Sequence, residues 1–588
     1  MVDGMGALPY DGGVAFRVWA PHADSVHVVG DFNGWSDTAS ALQREGDNWY
    51  AEVAGAQVGQ EYKLVVRTGD QTLYRMDPYA RQVTSSVGNG VIYDHGAFDW
   101  EGDDFHCPPH HELVIYEAHV GSFAGEHVGT DLWDVMGKIG HFLHLGVNAV
   151  QLMPVMEFAG DRSWGYNPAH LFAVESGYGG PDALKTFVRE CHKNGIAVIL
   201  DVVYNHFGPS DLDLWQFDGW SENGKGGIYF YNDDRSTTPW GDTRPDYGRE
   251  EVRRFIHDNA MMWLYDYHMD GLRYDMTPYM RSVHGSGIDL PEGWDLMRWI
   301  NTSVREQYPG RITIAEDMHQ DPAISQVDNG GAAFHAQWDS AFVHPVREAV
   351  IAMDDSWRSM ASVREAVTRI YNDDAFQRVI YTESHDEVAN GQARVTTEVN
   401  ADDPTGWHAQ KRSTLGAALT LTSPGIPMLF QGQEFLQGQW FRDDVPLDWH
   451  QNSDFQGIVR LFRDLIRLRR NIDGWTKGLT GHGVNVFHAD EEANVLAFHR
   501  WADGGVGDDT VVVVNLSANH YEHYRIGMPH TGRWVLRLNS DSRGYSADFG
   551  DAAAYDMDAH AEEADGLDAH ASMTIAPYTV LIYSLVES

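Results

Sequence analysis

Cysteine and lysine are scarce in this chain. The 588 residues hold two cysteines, Cys107 and Cys191, far apart in sequence and outside any metal-ligand spacing. This argues against a disulfide framework and a cysteine-based metal site, and predicts two reduced thiols in a cytoplasmic protein. Lysine occurs only seven times, so arginine supplies nearly all of the 42 basic residues. No hydrophobic run approaches the ~18 residues of a membrane span. The opening MVDGMGALPYDGG lacks the basic and apolar regions of a signal peptide, which predicts no export.

Positive charge is the larger deficit. Against those 42 bases stand 86 Asp and Glu, a formal net charge of −44. A phosphate backbone is held by clustered Lys and Arg, so nucleic acid is not an expected partner. Anionic membranes and acidic substrates are disfavoured for the same reason, and a neutral substrate remains compatible. Many acids with few lysines also suit a salt-tolerant surface, although GC-rich codon usage produces the same bias. Hydrophobic residues at 43% and aromatics at 12% are ample for packed cores. The length predicts about three domains.

Short strands punctuated by turns fill residues 14–66: VAFRVWA, SVHVVGDF, NWYAEV and EYKLVVR. They predict a small β-sandwich. The acidic, proline-bearing stretch from Phe98 to Glu112 reads as a linker. From Leu113 apolar runs alternate with helical stretches. Eight strand candidates follow: 113–120, 147–155, 196–206, 270–275, 311–317, 332–339, 378–386 and 426–435. One intervening helix places Val252, Phe255, Ile256, Ala260, Trp263 and Tyr267 on one face. The last follows Ser453, with Gln456 completing a capping box, and buries Ile458, Leu461, Phe462, Leu465 and Leu468. This alternation predicts an α/β fold, a (β/α)8 TIM barrel, with a doubly wound open sheet as the alternative. After Asn471 the pattern is all β. The expected domains are an N-terminal β-sandwich over 1–105, a barrel over 106–475 with a short insertion after strand three at about 207–248, and a C-terminal all-β domain over 476–588.

Catalytic residues of such barrels lie at the C-terminal ends of strands. Four candidate strands end there in polar groups: Asn205 and His206; Arg273 and Asp275; Glu316; His385 and Asp386. Any one of these is compatible with ordinary surface polarity. Together, as paired carboxylates without a metal cluster, they point to glycosidic chemistry, in which one carboxylate attacks the anomeric carbon and a carboxylic acid protonates the leaving oxygen. Trp164-Gly165-Tyr166, in a polar loop after strand two, offers ring faces for stacking on sugars.

On these motifs the chain resembles the α-amylase superfamily, glycoside hydrolase family thirteen. DVVYNH (201–206), DGLRYD (270–275), AED (315–317) and ESHDE (383–387) stand in the family's order, with WGYNP (164–168) and PMLFQGQEF (427–435). FRVWAP, GDFNGW and MDPYAR resemble the family forty-eight carbohydrate-binding module, whose tryptophans here are Trp19, Trp35 and Trp49. The resemblance implies Asp275 as nucleophile, Glu316 as general acid and then base, and Asp386 as the third carboxylate. It implies that Arg273 orients the nucleophile, that His206 and His385 hold the donor sugar, that Tyr166 stacks beneath it beside Trp164, and that Asp201 supports strand three. Asp275 would be kept ionised by Arg273, and Glu316 kept protonated by its acidic neighbours.

Within the family, TESHDEVANGQ (382–392) and GQEFLQGQWFRDDVPLDW (432–449) are most like branching enzymes, which cleave α-1,4 bonds and form α-1,6 branches. DVVYNHFGPSD (201–211) and TTPWGD (237–242) are more like maltooligosyltrehalose trehalohydrolases, and Met276 stands where both subgroups carry a small residue. The alternatives are therefore a trehalohydrolase or amylase-like hydrolase, or a non-catalytic glucan-binding protein. The implied partner is an α-glucan: glycogen, starch, amylose or maltooligosaccharide. No cofactor is required by this chemistry, and calcium at Asn205 is the one metal the resemblance leaves open.

Overall fold

The computed structural model of the protein describes residues 2–125, 127 and 129–587. Its centre follows from strands that are apolar on both faces. Ala197–Val202, sequence AVILDV, is buried at all six positions, as expected of a parallel strand covered by helices. Eight such strands close into a barrel: Ile115–Ala118, Ala149–Leu152, Ala197–Val202, Gly271–Tyr274, Ile312–Ala315, Ala336–Trp338, Arg378–Ile380 and Ile426–Phe430. Closure comes from the eighth strand pairing in parallel with the first, Met428 opposite Ile115. That pairing eliminates the open sheet. Each strand is shorter than its run, and several runs continue past the strand into polar residues above the barrel.

Side chains alternate along these strands with period two. Ile115, Ala149, Ile199, Ile314, Trp338 and Met428 form a core inside the barrel. Their neighbours Tyr116, Val150, Val198, Leu200 and Leu272 belong to the larger core that includes the surrounding helices.

Helix Glu250–Tyr265 buries Val252, Phe255, Ile256, Ala260 and Trp263; Tyr267 is buried too, but just beyond the helix end. Helix Gln456–Arg469 buries the five expected residues. Its expected cap is wrong. Ser453 lies inside a separate helix, Trp449–Asp454, which Asp448 caps by accepting from the His450 N–H at 3.0 Å. The residue before Gln456 is Phe455, with no side-chain cap. A preceding helix with its own aspartate cap has absorbed the serine.

The N-terminal residues form two facing sheets. One contains Gly6–Tyr10, Gly13–Trp19, Asn48–Ala54 and Gln43–Glu45; the other contains Ser25–Gly30, Glu61–Thr68, Gln71–Arg75 and Gly90–Val91. They dock on the excursion that follows the third barrel strand. His22 Nδ1 meets Asp218 Oδ2 at 2.9 Å, and Arg75 donates to the carbonyls of Gln216 and Phe217. Trp19 and Trp49 are buried, which leaves Trp35, 39% exposed, as the one of the three with an open face. The C-terminal residues form a six-stranded sheet and a two-stranded sheet. The stretch 98–112 is anchored under the barrel, with Asp103 bonded to His192 and His268 and Phe105 stacked on His192 at 4.4 Å. Cys107 and Cys191 are free thiols. Among the described residues, no helix is long and apolar enough to cross a membrane.

Candidate active site

The positions that point into the barrel turn polar at its C-terminal end. Two residues beyond Ile115 comes Glu117; beyond Ala149, Gln151; beyond Ile199, Asp201; beyond Gly271, Arg273 and then Asp275; beyond Ile314, Glu316. All six are buried. Strand alternation therefore delivers these groups into one layer above an apolar floor.

Arg273 is the hub. Its Nη1 donates to both Asp201 oxygens at 2.9 and 2.7 Å and lies 3.4 Å from Asp275 Oδ1. Its Nη2 lies 2.7 Å from Glu316 Oε2, and its guanidinium sits 4.2 Å from the Trp338 ring centroid. Asn205 Nδ2 donates to Asp275 Oδ2 at 2.6 Å and to the Asp275 carbonyl at 2.8 Å. The Met276 N–H donates to Glu316 Oε2 at 2.9 Å. It can do so because Met276 has φ 37°, a left-handed turn that side-chain-bearing residues seldom adopt. Tyr166 Oη donates to Asp201 Oδ2 at 2.6 Å.

Above this layer lies a cleft of about 540 Å³, within the range of sites that take small ligands. Asp275, Glu316, Asp386, His385, Tyr166 and Trp164 all line it. Arg273 and His206 do not. Arg273 is fully buried below the carboxylates, where it touches Asp201, Asp275 and Glu316 and is placed to orient Asp275. His206 is also buried. Its Nε2 donates to the Tyr166 carbonyl at 2.8 Å, its Nδ1 meets Asn205 Oδ1, and its ring stacks on Trp240 at 4.6 Å. Trp240, stacked on this ring, is the residue of the pair that faces the cleft.

Sequence reasoning missed several groups. Glu117 accepts from His385 Nδ1 at 2.8 Å and from the His385 N–H at 2.9 Å. Its signal was a lone acid at an inward position of an apolar strand. Trp240, Asn390, Arg162 and Asp443 also line the cleft. They come from loops, where no periodicity marks a direction. Asn390 Nδ2 donates to Asp386 Oδ1 at 3.0 Å.

Burial sets the protonation pattern. It pushes Asp275 up to about 6 against the opposing charge of Arg273. Arg273 opposes this rise, so Asp275 is still mainly ionised at neutral pH, although burial is the larger of the two effects. Burial likewise raises Glu316 to about 7, with Arg273 opposing and Asp275 and Asp386 adding to the rise. Glu316 thus stays above Asp275. For His385 burial alone would depress the imidazole, but Glu117 overcomes it and lifts the group to about 9. Burial lowers His206 to about 4.

A calcium ion at Asn205 does not fit this arrangement. The amide nitrogen is committed to Asp275 and the amide oxygen faces His206, so no outward oxygen remains. Among the described residues, no group of three or more His, Cys, Asp and Glu side chains is placed to hold a metal ion.

Comparison with known proteins gives the same outline. Residues 114–216 and 214–467 match the alpha amylase catalytic domain family. Residues 4–80 match carbohydrate-binding module 48, the isoamylase N-terminal domain, and 486–586 match the alpha amylase C-terminal all-beta domain. A 1,4-alpha-glucan branching enzyme of Dechloromonas aromatica is 32% identical over 626 residues, covering 98% of this chain and 96% of the relative. One from Corynebacterium jeikeium is 31% identical over 609 residues, covering 98% and 82%. Among solved structures, pullulanase type I from Bacillus subtilis superposes with a TM-score of 0.78 at 21% identity, covering 100% of this chain and 86% of that one. A putative alpha amylase from Salmonella typhimurium gives 0.74 at 21%, covering 99% and 100%.

Proposed function

Since the chain belongs to the α-amylase family, we propose that it is a 1,4-α-glucan branching enzyme that works through a covalent glycosyl-Asp275 intermediate. The observation that carries the chemistry is the shared grip of Arg273 on Asp275 and Glu316, at 3.4 and 2.7 Å, beneath one cleft. The choice of branching over hydrolysis is supported by the branching-enzyme relatives, which match along 98% of the chain.

The Asp275 carboxylate attacks the anomeric carbon of an α-1,4-linked glucan. The glycosidic C–O bond breaks as Glu316 gives its proton to the leaving oxygen. Glu316 Oε2 already accepts from the Met276 N–H and faces Arg273, so Oε1 is the oxygen that carries this proton. The reducing-end segment departs with that proton, and the rest of the chain remains as a glycosyl ester on Asp275. A 6-hydroxyl of an acceptor glucan then returns a proton to Glu316 and attacks the same carbon, breaking the ester and forming an α-1,6 bond. Two inversions give net retention.

The Asp386 carboxylate and the His385 imidazolium bind hydroxyls of the distorted donor sugar, and Tyr166 and Trp164 supply its stacking faces. Arg273 holds the carboxylates in place, with Asp201 as its counter-charge. The steps need no metal or cofactor. We place the enzyme in the cytoplasm, in keeping with its two free thiols, with α-glucan as its partner rather than nucleic acid.

Incubation with amylose, followed by iodine colour, reducing ends and proton NMR, tests the reading. Loss of blue colour with new α-1,6 signals and few new reducing ends is expected. Reducing ends that rise in step with colour loss would replace branching by hydrolysis. Release of trehalose from maltooligosyltrehalose would favour the reading suggested by the TTPWGD loop, whose Trp240 faces the cleft.

A further inference from the structure

A second cavity, of about 510 Å³, lies outside the barrel. It runs between helix Ile139–Leu145, which follows the first barrel strand, and helices Trp449–Asp454 and Gln456–Arg469, which follow the eighth. Helices of such a barrel begin at the end where the strands finish, so the helix starts that line this groove, from Lys138 and Trp449 onward, lie toward the end that carries the catalytic cleft.

Its charge reverses that of the molecule. Lys138, Arg460 and Arg463 line it together with His141 and His144, and among the described residues no Asp or Glu does. In a chain with 86 acids and 42 bases, a lining of this kind creates a local positive potential in a repelling field. Lys138 Nζ sits 3.8 Å from the Trp449 ring centroid. Arg460 Nη1 donates to the neutral carbonyl of Gly544 at 3.0 Å. Arg463 shares Asp464 at 3.1 Å, with both side chains about one-third exposed. His141 Nε2 meets the buried Glu434 at 2.6 Å. Asn452 and Gln456 add amide groups to the wall.

We propose that this groove binds the phosphate monoester of a sugar. A phosphate monoester is close to a dianion at neutral pH and offers three acceptor oxygens, which two or more guanidinium or ammonium groups match. The cavity is larger than a bare ion requires. The remaining wall of Trp449, Asn452 and Gln456 provides an aromatic surface and amides suited to sugar hydroxyls. Two sources share this chemistry: a free sugar phosphate, or a phosphate ester carried on a glucan chain that also reaches the cleft.

The test is calorimetric titration of the full chain with inorganic phosphate, glucose 6-phosphate, phosphorylated maltodextrin and neutral maltodextrin. Saturable phosphate binding is expected. It should weaken about tenfold or more in an Arg460→Gln, Arg463→Gln double variant and in Lys138→Gln, and fade with added salt as screening predicts. Arg460→Lys should retain part of it. Branching of unphosphorylated amylose should be unchanged in all these variants, which also reports that they fold. Tighter binding of glucose 6-phosphate than of phosphorylated maltodextrin assigns the free metabolite, and the reverse order assigns the glucan-borne ester. Absence of saturable phosphate binding, or equal binding by wild type and by both the double variant and Lys138→Gln, overturns the proposal.

Discussion

At the amino-terminal end of the barrel His192 bridges two carboxylates, Asp103 Oδ2 at 2.8 Å and Asp270 Oδ2 at 2.9 Å. At the carboxy-terminal end His385 holds one, Glu117 Oε1, at 2.8 Å, and its ring faces the cleft. Burial opposes the charge of both imidazoles, and the carboxylates raise both above their ordinary value. The chemistry is the same, but the saturation differs. His192 spends both nitrogens on the protein and serves as a rivet between the stretch 98–112 and the barrel. His385 spends one and keeps the rest for a ligand. A buried ion pair is therefore weak evidence of a site; a buried ion pair with a face left open to a cleft is stronger.

The sharpest break between the two ends should come from removing the reacting carboxylates. Asp275→Asn or Glu316→Gln is expected to lower the branching rate by at least ~1,000-fold while the melting transition persists. Residual activity near wild type in Asp275→Asn would dismiss the assigned nucleophile. Arg273→Met should come next. It leaves Asp201, Asp275 and Glu316 buried without their shared cation, and a stability loss of about 3–5 kcal/mol is expected in denaturant unfolding.

Proton linkage gives the third contrast. With Asp275 near 6 and Glu316 near 7, kcat/KM should be bell-shaped and highest between those values. Below about 6 the nucleophile is protonated; above about 7 the acid has lost its proton. The two groups titrate as a pair, so the limbs belong to the pair. His385 is raised from 6.5 to about 9, so its contribution to stability is full below 6.5 and is lost as pH rises through about 9. Glu117→Gln should remove that alkaline loss, which equilibrium unfolding against pH would reveal. The smallest effect is expected at the opposite end. His192→Gln should cost about 1–3 kcal/mol of stability and leave the pH–activity profile where it was. A shifted profile would mean that the two ends are coupled.

Much of the barrel was legible in the sequence because its strands are short apolar runs bounded by turns, and all eight runs contain a strand. The polar ends of the runs were legible as well, and they place Asp275, Glu316, His385 and Asp386 in the cleft. What escaped was direction. His206 follows Asn205 in the same motif, yet it points into the protein, because its ring is held by the Tyr166 carbonyl and Trp240. Ser453 had the local pattern of a cap, but the Asp448-capped helix before it took up the turn. Met276 was legible only as an oddity. Its reason is a backbone one: the left-handed turn aims its N–H at Glu316, and no side-chain pattern encodes that.

The hydrogen bond between Glu117 and His385 joins residues 268 positions apart, and the strand that closes the barrel beside Glu117 is the last of the eight. On the ribosome, at ~5–20 residues per second, that interval is tens of seconds. Only in its last part, after Glu316 has been made, does the chain carry both Asp275 and Glu316 while it still lacks His385 and the eighth strand. A chain that ends before the eighth strand therefore lacks the closed barrel in which Glu117 holds His385, and the order in which the strands are made sets when that barrel can close.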